Sequence, residues 1–172
     1  MTKLKKKYQT KGKIAIKKWI KTSLIDWEGM IVSTLYVSGC NFRCPFCYNT
    51  ELINTLHKLT TIPEERIVLL LKEQKPWIGG VCLSGGEPTL NQDLPQFLTQ
   101  IRTIGLKIKL DTNGSRPEVI TDLLKQHLLD YIAMDIKNCL QPDNYSRTTG
   151  VKDSSITKRI RKSITLIMSA GI

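Results

Sequence analysis

Three cysteines, Cys40, Cys44 and Cys47, crowd into eight residues as Cys-x3-Cys-x2-Cys. Thiolates are the ligands of iron–sulfur clusters, and a compact loop can wrap three of them around one cluster face. A cube of four irons held by three cysteines leaves one iron open, and an open iron binds substrate. A cluster that only carries electrons takes a fourth protein ligand. Structural zinc is the competing chemistry, and it wants four ligands. The fourth would have to be His57, Cys82 or Cys139, and none stands at the usual paired spacing. Cys82 lies in an apolar run and reads as a buried thiol. Cys139 reads as a loop thiol. With no secretion signal ahead of them, clustered thiols indicate metal or redox chemistry rather than a disulfide framework.

Three further motifs carry polar chemistry. In Ser84-Gly85-Gly86-Glu87-Pro88 the two glycines let backbone approach a ligand closely. Glu87 could accept from an ammonium group or brace the loop. No Gly-Lys-Ser/Thr follows, so a nucleotide P-loop is not supported. In Asp111-Thr112-Asn113-Gly114 and Asp135-Ile136-Lys137, a carboxylate could hold a ribose hydroxyl or a cation, and a lysine could hold a carboxylate. Taken singly, Asp-Thr-Asn-Gly is most often a turn.

The elements that must position these motifs alternate between strand and helix. A short leading strand is expected over 13–20, where Ile14 and Ile16 alternate against lysines, and a buried strand over 31–37. Thr61-x-x-Glu64 reads as a capping box, with Pro63 in the first turn and Ile67, Leu70 and Leu71 on the helix face behind it. Residues 81–83 form a short strand. The helix after it carries Leu94, Phe97, Leu98 and Ile101 at i, i+3, i+4, i+7 and stops at Gly105. Leu106, Ile108 and Leu110 alternate with Lys107 and Lys109 as a strand. Ser115-x-x-Glu118 reads as a second capping box, before Ile120, Leu123 and Leu124. A strand over 131–134 and a helix with Ile156, Ile160, Ile164 and Ile167, ending near Gly171, complete the pattern.

Strands alternating with helices imply βαβ units and a parallel sheet. The fold class is α/β, and about four such βα units give half of a barrel or a curved open sheet. Gly171-Ile172 repeats the pattern of Gly105-Leu106, where a helix stops and a strand begins, so a further strand is expected there. All four motifs follow strands at their C-terminal ends, the edge where parallel α/β folds bind ligands.

With 172 residues, one core domain is expected. Nine lysines and no acidic residue fall within 1–21, and they account for nine of the eleven net positive charges. The expected organisation is a basic arm over 1–21 and a core over 22–172. A solvated tail is the favoured reading of the arm. Nucleic acid is a less favoured partner, since no aromatic-rich RNA-binding signature accompanies the lysines. Trp19, Trp27 and Trp77 read as packing residues. No run of 18 apolar residues occurs, so no membrane span is expected.

At these residues the chain resembles the radical S-adenosylmethionine (SAM) superfamily, and within it the activating proteins of anaerobic ribonucleoside-triphosphate reductase, relatives of pyruvate formate-lyase activating enzymes. The likeness begins near Thr22 and runs to the C-terminus. It is carried by Gly39-Cys-Asn-Phe-Arg-Cys44, Ser84-Gly-Gly-Glu-Pro-Thr-Leu90, Leu110-Asp-Thr-Asn-Gly114 and Ala133-Met-Asp-Ile-Lys137. Tyr48 stands where these activases commonly have His, and Trp27-Glu28 where Tyr-Pro is usual.

The resemblance implies a (βα)6-type barrel, here with its last two strands absent. It implies a [4Fe–4S] cluster on Cys40, Cys44 and Cys47, with S-adenosylmethionine chelating the fourth iron. Phe46 and Tyr48 would lie near the adenine. Gly85, Gly86 and Glu87 would receive the methionine amino group, and Asp135 and Lys137 would lie near its carboxylate. Asn113 belongs to the same cofactor-binding set. Asp111, Thr112 and Asp135 would frame a monovalent cation. The implied activity is reductive cleavage of S-adenosylmethionine to a 5′-deoxyadenosyl radical that takes a hydrogen from a glycine of an anaerobic ribonucleotide reductase-like partner in the cytoplasm. Flavodoxin or ferredoxin would donate the electron. Two alternatives stay open: radical chemistry on a small molecule or tRNA, as in a 7-carboxy-7-deazaguanine synthase relative, and a truncated, inactive iron–sulfur fragment.

Overall fold

In the computed structural model, which describes residues 14–54 and 58–172, five strands form one sheet in chain order. They are β1 (Ile16–Ser23), β2 (Val32–Val37), β3 (Gly80–Gly85), β4 (Lys107–Thr112) and β5 (Tyr131–Met134). Strands β2 to β5 pair in parallel, as the βαβ pattern requires. Strand β1 is antiparallel to β2. An eight-residue connection suffices to return an antiparallel neighbour, whereas parallel neighbours need a long crossover. The lysine-rich stretch up to residue 13 lies outside the described residues, as does His57.

The crossover helices are α2 (Glu64–Gln74), α3 (Leu94–Ile104) and α4 (Pro117–Lys125), after a short α1 (Glu51–Asn54). Two more follow β5: α5 (Pro142–Thr149) and α6 (Ile156–Ala170). Helix α3 is anchored as its periodicity predicts, with Leu94, Phe97, Leu98 and Ile101 all buried. Gly105 ends it in the left-handed region at φ 81°. Helix α5 was not legible in the sequence. Its only buried residues are Tyr145 and Thr149, so it has no apolar stripe to read.

Neither capping box forms. Helix α2 has Pro63 at its N-cap without a side-chain bond. Thr61 instead accepts from Lys17 Nζ at 2.8 Å, and Glu64 accepts from Gln100 at 2.6 Å. Helix α4 begins after Arg116, which pairs with Glu118 at 2.7 Å, and Ser115 turns elsewhere. In both cases tertiary partners outcompete the local bond.

The sheet has two unlike faces. Leu35, Val37, Val81, Leu83, Ile108 and Leu110 join the helices in the main core. The alternate residues Thr34, Tyr36, Cys82, Lys109 and Asp111 point the other way. The β1–β2 connection folds beneath that second face. Thr34 Oγ1 donates to the Asp26 carboxylate, and Lys109 Nζ donates to the Asp26 carbonyl. Trp27 is buried there against Val32 and Cys82, its ring 5.8 Å from that of Tyr131. Trp19 packs on the main core, but Trp77 is 77% exposed, which corrects the expectation that all three tryptophans are packing residues. No described helix is long and apolar enough to cross a membrane.

Candidate functional site

The loops leaving β2, β3, β4 and β5 meet at the C-terminal edge of the parallel strands around an open cavity of about 230 Å3. Cys40, Cys44 and Cys47 line it, with Phe46 and Tyr48 from the same loop. Gly85 and Gly86 line it from β3, Asp111, Thr112 and Asn113 from β4, and Asp135 and Lys137 from β5. Of the site residues expected from sequence, all but Glu87 therefore share one cavity.

The cysteine loop is clamped on both flanks. Gly39 donates to the Leu52 carbonyl at 2.9 Å, which gives the short α1 its purpose. The Gly39 carbonyl accepts from Glu87 N at 2.7 Å, and Gly86 N donates to Val37 O at 3.0 Å. A Cβ on Gly86 would stand 1.9 Å from the Gly39 carbonyl oxygen, so only glycine lets these two loops touch. On the far side, Arg43 N donates to Thr149 O at 2.7 Å. Phe42 is buried edge-on against Tyr145, with centroids 6.2 Å apart, beside Ile156 and Ile160. Helices α5 and α6 thus form the backing wall of the cysteine loop.

Glu87 braces the strand ends and does not face the cavity. It is fully buried. One carboxylate oxygen accepts from Thr89 N, Thr89 Oγ1 and Thr112 Oγ1, and the other accepts from Asn113 N at 2.7 Å. Of the two roles open to this carboxylate, ammonium acceptor or brace, the geometry takes the brace. Burial pushes its pKa up, and these four donors oppose the rise. Asn41 and Ser115 belong to the site as well, although neither stood out in the sequence as a site residue. Asn41 Nδ2 donates to Ser115 Oγ at 2.9 Å, Asn113 Nδ2 donates to Asn41 Oδ1 at 2.9 Å, and Ser115 N donates to Asn113 Oδ1 at 2.9 Å. Asn41 stands directly after Cys40 inside the motif, a position that only a tertiary partner on another loop makes meaningful. Ser163 of α6 locks the end of this turn by donating to Gly114 O at 2.7 Å.

Charge is arranged unevenly around the cavity. Burial pushes the Cys40 thiol up, countered in part by the Phe42 N–H that donates to its sulfur at 3.3 Å. Burial also pushes Cys44 up, while the Lys137 charge pulls it down. A metal binding to thiols raised in this way must displace their protons. Lys137 Nζ lies 2.8 Å from Asp135, and Lys109 Nζ lies 3.1 Å from Asp111. Both carboxylates expected to frame a cation thus already have a lysine partner. Beneath them, the Cys82 thiol donates to Asp111 Oδ2 at 3.4 Å, and burial and that carboxylate push its pKa far up. It is the buried thiol expected. Cys139 is exposed and accepts from Asn144 at 3.3 Å, away from the cavity lining.

The donor set suits a multi-iron group. Among the described residues, no three His, Cys, Asp or Glu side chains converge on one point as a single ion requires. A cuboidal cluster spreads its three thiolates over three irons, so its ligands ring a space instead of meeting at a point. Cys40, Cys44 and Cys47 line one cavity and are the donor type such a cluster takes, and Gly85 and Gly86 line the same cavity.

The profile of the radical SAM superfamily matches residues 34–168. A protein of Methanocaldococcus jannaschii named as a glycyl-radical enzyme activating enzyme is 34% identical over 118 residues, 67% of this chain and 47% of that one. A protein of Thermococcus kodakarensis named as a GTP 3′,8-cyclase is 34% identical over 131 residues, 74% of this chain and 42% of that one. The pyruvate formate-lyase-activating enzyme of Clostridium pasteurianum is 32% identical over 135 residues, 74% of this chain and 53% of that one. The chain spans about half the length of the curated relatives it matches. Among solved structures, Streptococcus suis SuiB superposes with a TM-score of 0.54 at 22% identity, over 80% of this chain and 29% of that one, a likeness of fold.

Proposed function

The chain belongs to the radical SAM superfamily, and from that premise we propose that Cys40, Cys44 and Cys47 hold a [4Fe–4S] cluster in a protein that activates a glycyl-radical enzyme. The observation that carries the reading is the convergence of the three thiols, the Gly85-Gly86 backbone and the Asp135–Lys137 pair on one cavity. When bound, cluster and S-adenosylmethionine together supply one-electron reductive cleavage of a sulfonium to a 5′-deoxyadenosyl radical.

The chain's own residues bind and orient. The Gly85-Gly86 backbone, bare of side chains, admits the methionine moiety and offers its carbonyls to the amino group. Lys137 carries the positive charge a carboxylate needs, and Asp135 holds that ammonium at the cavity mouth. Phe46 and Tyr48, 59% and 99% exposed, offer flat surfaces for an adenine to cover. Glu87 keeps the β3 and β4 ends in register, which fixes the spacing of the walls. A monovalent cation at Asp111, Thr112 and Asp135 would have to displace two lysines from their carboxylates.

Two relatives bear activating-enzyme names, and the activase reading follows them. Several relatives instead bear the name GTP 3′,8-cyclase, which supports small-molecule radical chemistry as the second reading. Under the first reading the partner is an anaerobic ribonucleotide reductase-like protein, with flavodoxin or ferredoxin as electron donor.

The test is anaerobic reconstitution with iron and sulfide, then an assay for 5′-deoxyadenosine from S-adenosylmethionine under dithionite. Wild type is expected to bind about four irons per chain, as the cuboidal cluster demands, and to form product, and Cys44→Ala to lose both. Zinc binding without iron would overturn the cluster. A glycyl-radical EPR signal on an added reductase supports the activase, whereas GTP consumption without that signal supports the second reading.

A further inference from the structure

Asn113 stands between the β4 loop and the cysteine loop, and its amide has a determinable orientation. Its Oδ1 accepts from the Ser115 backbone N–H, which can only donate. The nitrogen end must therefore face the other way. There it meets Asn41 Oδ1 at 2.9 Å and Cys40 Sγ at 3.8 Å, two acceptors for its two hydrogens. The residue is further held through its backbone, because the Asn113 main-chain N–H donates to the buried Glu87 carboxylate. With 6% of its surface exposed, Asn113 has little left to offer a ligand in the cavity.

We propose that Asn113 is a positioning residue for the iron–sulfur centre, whose amide N–H donates to the Cys40 sulfur and raises the reduction potential of the cluster. The proposal rests on the reading of Cys40 as a cluster ligand. A donor on a ligating sulfur places partial positive charge where electron density accumulates on reduction, so it favours the reduced state. Asn113 also ties this adjustment to the cofactor wall. The same residue is clamped by Glu87, whose backbone N–H holds the Gly39 carbonyl next to Cys40. Any shift of the β3 and β4 loops thus alters the bond to the sulfur.

The experiment is an EPR-monitored redox titration of the reconstituted cluster in wild type, Asn113→Ala and Ser115→Ala. Asn113→Ala is expected to move the midpoint to more negative potential at an iron content equal to wild type. Ser115→Ala removes the Asn41 clip but keeps the donor, and its midpoint is expected to stay at the wild-type value. An unchanged midpoint in Asn113→Ala with full iron overturns the proposal, as does an equal shift in both variants, which would mark a merely structural clip. If Asn113→Ala holds no cluster, pulsed EPR on reduced wild type carrying amide-15N asparagine decides. A 15N coupling to the cluster is expected, and its absence overturns the proposal. Failure of wild type itself to bind iron instead sinks the cluster reading and takes this inference with it.

Discussion

The two faces of one sheet are built from the same strands and do opposite things. On the helix side, Leu83, Ile108 and Leu110 are fully buried among Phe97, Leu98 and Ile101 and need no partner beyond close packing. On the other side, Cys82, Lys109 and Asp111 sit one residue away along the same strands and are held by hydrogen bonds and charge. The period of two in a strand makes this possible without any break in the backbone. A packed face tolerates approximate fit, whereas a polar face demands specific partners. The face that specifies the fold is thus separated from the face whose strand ends build the cavity.

The largest effect is expected on the packed face. Phe97→Ala removes a ring with no exposed surface and should destabilise the protein by about 3–5 kcal/mol. Urea unfolding measures it. Iron bound per folded chain should stay unchanged, because no atom of α3 lines the cavity. A loss below about 1 kcal/mol, well under the range for such deletions, would break the comparison, since packing would then not be what holds that face.

The same division explains what could be read from sequence. Ile108 and Leu110 alternating with Lys107 and Lys109 announced a strand and its buried side. The cysteine spacing and the glycines of Ser84-Gly85-Gly86 announced the site and its sheet edge. What stayed hidden depends on partners far away in the chain. Ser115 looked like a helix cap because its Asn41 partner lies 74 residues earlier. Glu87 looked like a ligand group because the three residues that enclose its carboxylate gather only when β3 and β4 pair. Helix α5 had no apolar period to show, and its role as the wall behind Phe42 rests on Tyr145 alone among its large side chains.

A middle-sized effect is expected on the polar face. Lys109 is 12% exposed at its side chain and touches both Asp111 and the Asp26 carbonyl. Its pKa is raised: burial is the largest single influence and works against the charged form, but the charge and hydrogen bond of Asp111 together with Cys82 and Asp26 outweigh it. A lysine raised in the folded state contributes fully below its ordinary value of 10.5, and the contribution is lost as pH climbs through the higher folded value. Lys109→Met keeps most of the volume and leaves Asp111 beside the Cys82 thiol without its cation. A loss of about 1–3 kcal/mol at neutral pH is expected, the scale for stranding a polar group. If urea unfolding shows no loss, the inner face is held by shape after all, and the contrast with the packed face disappears.

The smallest effect sharpens the comparison by moving the same kind of pair to the surface. Asp153 accepts from Ser155 N at 2.8 Å and pairs with Arg159 at 2.7 Å, at the start of α6. The hydrogen bonds from Ser155, and then the Arg159 charge, hold its pKa below the ordinary 3.8. A carboxylate depressed in the folded state stabilises above its unfolded pKa, and that contribution fades as pH falls through the lower folded value. Asp153→Asn should therefore destabilise slightly at pH 7, and the difference from wild type should begin to fade near 3.8 and vanish only below the lower folded value. Added salt should shrink it at pH 7, since water and ions reach the pair. Lys109→Met should respond less to salt, because the Lys109 side chain is only 12% exposed and also bonds the Asp26 carbonyl. Parallel urea titrations at low and high salt decide the point. Equal salt sensitivity in the two variants would mean that solvent screens the inner face as freely as the surface, and that its charges are arranged for ligands without being sheltered by the fold.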